Sequence, residues 1–156
     1  MRAALAAAAG LALAAPAAGI ATVTQTILVT SVTIVASSHD VKPPGPSKGD
    51  SVTARDRLLN AAPQFGRKAG AAVGSDSAVV TLTSTGAATI KGRVTLPGGT
   101  ITLSGSVTPL ANGGLIAPVT GGTGAFDHVR GTLTVGPGKD HVLNTYRLSR
   151  ANGFVA

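Results

Sequence analysis

Residues 88–107 read ATIKGRVTLPGGTITLSGSV, and this stretch decides the fold. On each side of the turn Pro97-Gly98-Gly99, apolar residues alternate with Thr, Ser, Lys or Arg. Alternation with a period of two is typical of a β-strand with one buried face, and a short glycine-containing turn joins two such strands into an antiparallel hairpin. The apolar face of the predicted hairpin is formed by Ala88, Ile90, Val94, Leu96, Ile101, Leu103, Gly105 and Val107.

Further runs of this kind lie on both sides of the hairpin. Turn residues separate them, most clearly in the proline-rich loop at residues 39–50. The predicted strands are residues 23–36, 51–59, 115–120, 129–135 and 142–148, with residues 70–74 and 78–83 forming either one interrupted strand or two short ones. No stretch after residue 21 has convincing helical periodicity. The sequence therefore predicts a single all-β domain over residues 22–156, with about eight strands in a barrel or a sandwich.

The composition fits one globular domain and excludes several classes of protein. The chain has 156 residues, of which 44% are hydrophobic and 12% charged, so it can form a core and is not a charged, disordered chain. It contains no Cys, which excludes disulfides and thiolate chemistry. The formal net charge is +7, and a basic protein can be attracted to nucleic acid or to anionic surfaces.

The placement of the basic residues argues against nucleic acid as the partner. They fall on the polar face of the predicted strands, where a solvated exterior accounts for them. They are Arg55, Arg57, Lys91, Arg93, Arg130 and Arg147. A protein that binds single-stranded nucleic acid combines such residues with exposed aromatic side chains, and aromatic residues make up only 3% of this chain. We therefore expect no nucleic-acid partner.

The first 21 residues have the layout of a secretory signal peptide. Arg2 supplies the positive start, residues 3–15 are an uncharged run rich in Ala and Leu, and small residues surround Pro16 and Ile20. The run is short and rich in Ala for a transmembrane helix, although a retained membrane anchor is the alternative. We expect cleavage near residues 17–21, secretion of the protein, and no stable insertion into a membrane.

Three short motifs resemble functional sites but have simpler explanations. Gly45-Pro46-Ser47-Lys48-Gly49 matches G-x-S-x-G, yet it lies in a proline-rich loop that leads into a strand, so the motif is interpreted as a turn. His39, His128 and His141 lack the spacings that bring two metal ligands to one face, and we expect neither a metal nor another cofactor. Asp127-His128 is interpreted as a surface pair in a turn.

Asp56 is the candidate catalytic residue. It shares the apolar face of its predicted strand with Val52, Ala54 and Leu58, and an inward carboxylate is costly unless it is hydrogen-bonded or functional. Two structural alternatives remain: the strand ends before Asp56, or a neighbouring Arg pairs with it. In an apolar cavity the pKa of Asp56 would be raised by desolvation, and the residue could act as a general acid or hydrogen-bond to a substrate carbonyl group.

Several strings resemble, in the right order, those of the allene oxide cyclase-like and dirigent proteins. Residues 49–59 and 66–70 resemble the region of the second strand, and residues 96–105 resemble the central hairpin. Residues 116–132 resemble the GGTG-x-F…G string, which is fairly specific. Its residues here are Gly121, Gly122, Thr123, Gly124, Phe126 and Gly131, and the sequence predicts that the glycine-rich part is a tight turn with positive φ.

The resemblance implies an eight-stranded antiparallel β-barrel of the calycin type, often trimeric, with an apolar cavity at one mouth. In this family the cavity fixes the conformation of a small molecule for ring closure or coupling. The resemblance places Asp56 at a polar position of the pocket and the loop at residues 43–47 near its mouth. The residues that we expect to contact the ligand are Pro44, Ser47, Val52, Ala54, Leu58 and Tyr146.

The predicted function is a secreted cyclase-like or dirigent-like barrel with isomerase-like chemistry. The plant cyclases have an acid on the first strand, and residues 22–38 contain none. A bacterial-type member that binds a different small apolar molecule is therefore favoured, and a homotrimer is an expectation. The alternatives are a carrier of a hydrophobic ligand without chemistry and a structural protein at the cell surface.

Overall fold

The computed structural model describes residues 22–84, 86–138 and 141–151, which form a closed antiparallel barrel of eight strands without helices. The predicted signal peptide lies outside the described residues. Each strand pairs with its neighbours in the sequence, and the last strand pairs with the first. The strands are β1 (Thr22–His39), β2 (Ser51–Asn60), β3 (Ala72–Ser84), β4 (Ala87–Leu96), β5 (Gly99–Pro109), β6 (Leu115–Gly124), β7 (Arg130–Pro137) and β8 (Val142–Ala151).

The predicted central hairpin is confirmed. β4 and β5 pair across the turn with Leu96 opposite Gly99 and Val94 opposite Ile101, so the apolar residues of both strands share the inner face. Residues 72–84, for which the sequence left two alternatives, form one continuous strand. It passes through Gly74 with a register shift against β2, between Leu58 and Leu59.

Large apolar side chains fill one half of the barrel and close the end of the barrel on that side, which we call the closed end. The largest fully buried ones include Tyr146, Ile27, Leu58, Ile101 and Leu148. Phe126 and Val129, from the loop between β6 and β7, are buried against them. This half of the barrel is therefore a core packed with side chains.

The loop between β2 and β3 is tied to the closed end by two amide side chains. The Nδ2 of buried Asn60 donates to the carbonyl oxygens of Gln64 (2.9 Å) and Arg67 (3.1 Å). The side chain of Gln64 in turn pairs with Leu28, accepting from its N–H (3.0 Å) and donating to its carbonyl oxygen. These bonds satisfy backbone groups that the loop would otherwise leave unpaired.

The opposite end, which we call the open end, is lined by small residues. Ala36, Ala54, Ala78 and Gly92 stand directly opposite one another across β1 to β4. β1 pairs with β8 only as far as Ser31 but continues beside β2 to His39, so the first hairpin extends beyond the ring of strands. Small side chains in one wall of a barrel leave space at its mouth.

The exterior agrees with the sequence analysis. All six basic residues of the predicted polar faces are exposed. The His128 Nε2 lies 3.3 Å from an Asp127 carboxylate oxygen in an exposed turn, so the predicted surface pair is confirmed. A search of the described residues found no helix long and apolar enough to cross a membrane.

The prediction of a tight turn at residues 121–124 is wrong, and the predicted positive φ is found only at the last glycine of this string. β6 continues as a strand through this string, and only Gly124 has a positive φ, of 62°. Gly122 is required for a different reason: a Cβ there would collide with the carbonyl oxygens of Thr100 and Phe126. The glycines thus allow β6 to pack closely against its neighbours.

Gly131 offers a test of this close packing. It has a φ of 153°, and a Cβ at this position would collide with the Arg147 carbonyl oxygen of β8. We expect Gly131→Ala to lower the free energy of unfolding by about 2 kcal/mol or more. Gly136→Ala, on the same strand with open space around it, is the control and should change that free energy by less than about 1 kcal/mol. Equal effects of the two variants in urea denaturation would contradict this account of β7–β8 packing.

Candidate functional site

A cavity of about 180 Å³ occupies the barrel interior on the side of the open end. We call it the deep cavity. Its apolar wall consists of Ala54, Ala78, Val80, Ile90, Leu103, Leu115, Leu133, Val135 and Val142. Its polar residues are Ser31, Asp56, Asp76 and Asn144. A mostly apolar pocket with a few polar groups is the usual form of a small-molecule site.

A second cavity of about 340 Å³ lies at the mouth of the barrel and shares Val80 with the first. We call it the mouth cavity. Its wall includes Ser38 and Val52 from the first hairpin, and Gly45 and Pro46 from the loop that follows β1. The two cavities therefore form neighbouring parts of one site that begins at the proline-rich loop.

Asp50 fixes the conformation of that loop. Its carboxylate accepts hydrogen bonds from the backbone N–H of Val41 (2.8 Å) and of Ser47 (2.6 Å), and these bonds lower the pKa of Asp50. The Ser47 hydroxyl lies 2.9 Å from both the Pro43 and the Gly45 carbonyl oxygens. The motif Gly45-Pro46-Ser47-Lys48-Gly49 is therefore a turn, as its sequence context predicts.

Two carboxyl groups face each other inside the barrel. Asp56 of β2 stands directly opposite Asp76 of β3, and both line the deep cavity. We call them the carboxyl pair. β2 continues beyond Asp56 to Asn60, so the alternative in which the strand ends earlier is wrong. Among the described residues, no Lys or Arg nitrogen lies within 4.0 Å of either carboxylate.

The surroundings of the carboxyl pair disfavour two negative charges. Burial, and next the nearby charge of Asp56, raise the pKa of Asp76 to about 7. Near neutral pH Asp76 can therefore still carry a proton and donate a hydrogen bond. The Oδ1 atom of Asp56 is buried and has no hydrogen-bond partner within the protein.

Two residues of β8 add polar atoms near the carboxyl pair. Asn144, only 4% exposed, donates from Nδ2 to the Ser31 hydroxyl at 2.6 Å, while its Oδ1 has no partner. Tyr146 is fully buried, and its hydroxyl oxygen has no partner either. Burial, followed by the charges of Asp76 and Asp56, raises the pKa of Tyr146 above its usual value, so the phenol stays neutral.

Comparison with solved structures identifies the fold. The barrel is similar to a pyocyanin demethylase, with a TM-score of 0.65 and 22% identity over 80% of this chain and 99% of that one. It is also similar to a pterocarpan synthase dirigent protein, with a TM-score of 0.57 and 15% identity over 87% of this chain and 88% of the other. The chain therefore shares the closed eight-stranded barrel fold of these proteins.

The same fold occurs in an exo-specific intermolecular Diels-Alderase. That protein has a TM-score of 0.66 and 12% identity over 83% of this chain and 99% of its own. No protein-family model matches the chain, and no curated protein matches it. The eight-stranded barrel predicted from the sequence resemblance is confirmed.

The barrel places the predicted site residues at three levels. Asp56 and Ala54 line the deep cavity, and Val52 lines the mouth cavity. Leu58 and Tyr146 are fully buried in the core below. Gly45 and Pro46 line the mouth cavity. The residues on either side of them, Pro44 and Ser47, line neither cavity. Contact of these residues with a ligand stays a prediction.

The sequence analysis missed Asp76, Asn144 and Ser31. Asp76 was assigned to an interruption of the strand around Gly74, and a residue in a turn has no defined face. Asp76 is spaced by two residues from Ala78, and Ala78 by two from Val80, so a continuous strand would place all three on one face. Since Ala78 and Val80 are apolar, this spacing indicates that Asp76 points inward. Burial raises the pKa of Asp76, the strand partner of Asp56.

The raised pKa of Asp76 predicts how stability changes with pH. The folded protein keeps a proton on Asp76 up to about pH 7, whereas in the unfolded chain the group releases it near pH 3.8. The stabilisation is therefore fully present below about pH 4 and is lost as the pH rises to about 7. We expect the melting temperature of Asp76→Asn to fall less than that of the wild type across this range.

Asp127→Asn is the matched control, since Asp127 is an exposed acid in a turn. It should leave the pH dependence of the melting temperature unchanged. Asp56→Asn should lower the pKa of Asp76, measured by NMR, because it removes the repelling charge. If the melting temperature of Asp76→Asn varies with pH as that of the wild type does, the assignment of this proton is wrong.

Proposed function

We propose that this protein binds a small, largely apolar molecule at the open end of its barrel and steers the cyclisation or coupling of that molecule. The observation that carries the proposal is the carboxyl pair, which lies in a mostly apolar cavity and has no Lys or Arg nitrogen within 4.0 Å among the described residues. Such an arrangement has a cost in stability that a role in binding or proton transfer would explain.

The shape of the site supports steering of a bound molecule. Apolar walls restrict the conformations of a flexible ligand, and restricting them to a reactive one accelerates ring closure. The similar structures include proteins named as a pterocarpan synthase dirigent protein and as a Diels-Alderase, so this barrel shape is compatible with such activities. These likenesses support the proposal through the fold alone.

The carboxyl pair would supply the proton chemistry of the proposed reaction. Asp76, protonated near neutral pH, donates a hydrogen bond or a proton, and Asp56 accepts one. Both groups line the deep cavity, so a bound molecule would lie within their reach. In this proposal Asp56 and Asp76 are the catalytic residues, and the conformation of the substrate is fixed by the apolar wall.

The binding site is tested by filling it. We expect Ala78→Leu to weaken binding of naphthalen-1-ylmethanol, a neutral apolar probe, by about tenfold or more, because the added carbons occupy the deep cavity. Ala72→Leu places the same side chain at an exposed position of β3 and should leave the affinity unchanged. Isothermal titration calorimetry measures both. Undiminished binding to Ala78→Leu would show that the probe binds elsewhere.

The activity is tested with the natural ligand. Protein recovered from its own culture medium is analysed by native mass spectrometry for a retained small molecule, and the mass also gives the oligomeric state, for which we propose a trimer. The released molecule is then incubated with ligand-free protein, and an isomer of equal mass indicates cyclisation. Asp56→Asn should bind the molecule without converting it. Binding without conversion by the wild type would favour a carrier.

We also propose that the protein is secreted after removal of the segment before residue 22. The support is the layout of that segment, with Arg2, an uncharged run and a region of small residues. We expect the intact mass of the protein from the culture medium to lack Met1 and Arg2. A mass that includes both residues would contradict cleavage and favour a retained anchor.

A further inference from the structure

The deep cavity presents more hydrogen-bond acceptors than the protein satisfies. Asp56 Oδ1 and Asn144 Oδ1 are both buried without a partner, and both residues line the cavity. Each such atom has lost its contacts with water and gained nothing within the fold, which is rare in native proteins. The missing partners are hydrogen-bond donors.

The same cavity also lacks positive charge. Among the residues found to line it there is no Lys, Arg or His, whereas two Asp residues are present. Arg55 and Arg57 flank Asp56 in the sequence, but strand alternation turns them to the exposed exterior. Arg55 and Arg93 line another groove, of about 260 Å³, together with Asp56 and Asp76. Among the described residues, however, no Lys or Arg nitrogen lies within 4.0 Å of either carboxylate, so a bound cation would pair with a charge that has no close partner within the protein.

We propose that the ligand of this cavity is an apolar molecule that carries a basic nitrogen, as a protonated amine or a protonated nitrogen heterocycle. This inference rests on the proposed function and names its substrate class. The N–H groups donate to Asp56 Oδ1 and Asn144 Oδ1, and the hydrocarbon part packs against Val80, Ile90 and Leu103. An N⁺–H donor bonded to a carboxylate is among the stronger hydrogen bonds in proteins.

Other classes of ligand fit the site less well. A carboxylate or a phosphate would bring a further negative charge to Asp56 and Asp76. A neutral ketone or ether offers only acceptor atoms, so the oxygens of Asp56 and Asn144 would stay unpartnered in the complex. An alcohol can satisfy one of them but does not compensate the charge.

The test uses three naphthalene probes of nearly equal shape: naphthalen-1-ylmethylamine, naphthalen-1-ylmethanol and 1-naphthoate. Their affinities are measured by isothermal titration calorimetry at pH 7 and physiological salt. We expect the amine to bind at least about tenfold more tightly than the alcohol, since a hydrogen bond to a charged group contributes more than one between neutral groups. The naphthoate should bind most weakly.

Two variants that remove the same charge distinguish an effect of the acid inside the cavity from an effect of the protein's net charge on binding of the amine. Asp56→Asn should reduce the preference for the amine over the alcohol by about tenfold. Asp127→Asn removes an exposed acid and should keep the preference. Melting curves establish that both variants are folded. The comparison of the three probes on the wild-type protein does not depend on either variant.

The outcomes distinguish the inference from the function on which it rests. If none of the three probes binds, the proposed binding of small apolar molecules is itself overturned. If the alcohol or the naphthoate binds as tightly as the amine, the cavity holds apolar molecules but does not select a basic nitrogen, and only the inference is overturned. An unchanged preference in Asp56→Asn also overturns it.

Discussion

The alternation of side chains between the two faces of a closed barrel is the constraint on which the rest of the structure depends. Each strand directs every second side chain inward, and hydrogen bonding fixes which residues of neighbouring strands share a level. Leu58 and Tyr146 fall at levels where bulky neighbours fill the interior. Ala54, Ala78 and Gly92 fall together at another level, and the interior is open there. The cavity thus lies beside the small side chains of Ala54 and Ala78.

The register of β2 against β3 also decides the electrostatics of the cavity. It places Asp56 directly opposite Asp76, where neither carboxyl group is paired with a cation of the described residues. The apolar wall of the cavity supplies no compensation, and the fold accommodates the pair by retaining a proton on Asp76 at about neutral pH. The chemical consequence is a carboxylic acid group inside the cavity that can donate a hydrogen bond.

Much of the fold could be predicted from the sequence, because residue alternation and turn residues are local signals. The hairpin at residues 88–107 and the inward position of Asp56 depend on no other part of the chain. Asp76 and Asn144 could not be found in the same way, since their roles depend on which residues of other strands they face. The glycines at residues 121–124 were misinterpreted for a related reason: Gly122 is required by the backbone of β5 and by Phe126, and not by its own φ.

Positive and negative side chains alternate along β2. Arg55, Asp56 and Arg57 are consecutive, and a cation on either side of an acid in the sequence suggests neutralisation. In a strand, however, residues that are adjacent in the sequence point to opposite faces of the sheet, so they do not neutralise one another. Both arginines are exposed, while Asp56 lines the cavity. Exposed arginines are surrounded by water, which screens their attraction for the carboxyl pair. The negative character of the cavity therefore persists inside a protein whose net charge is +7.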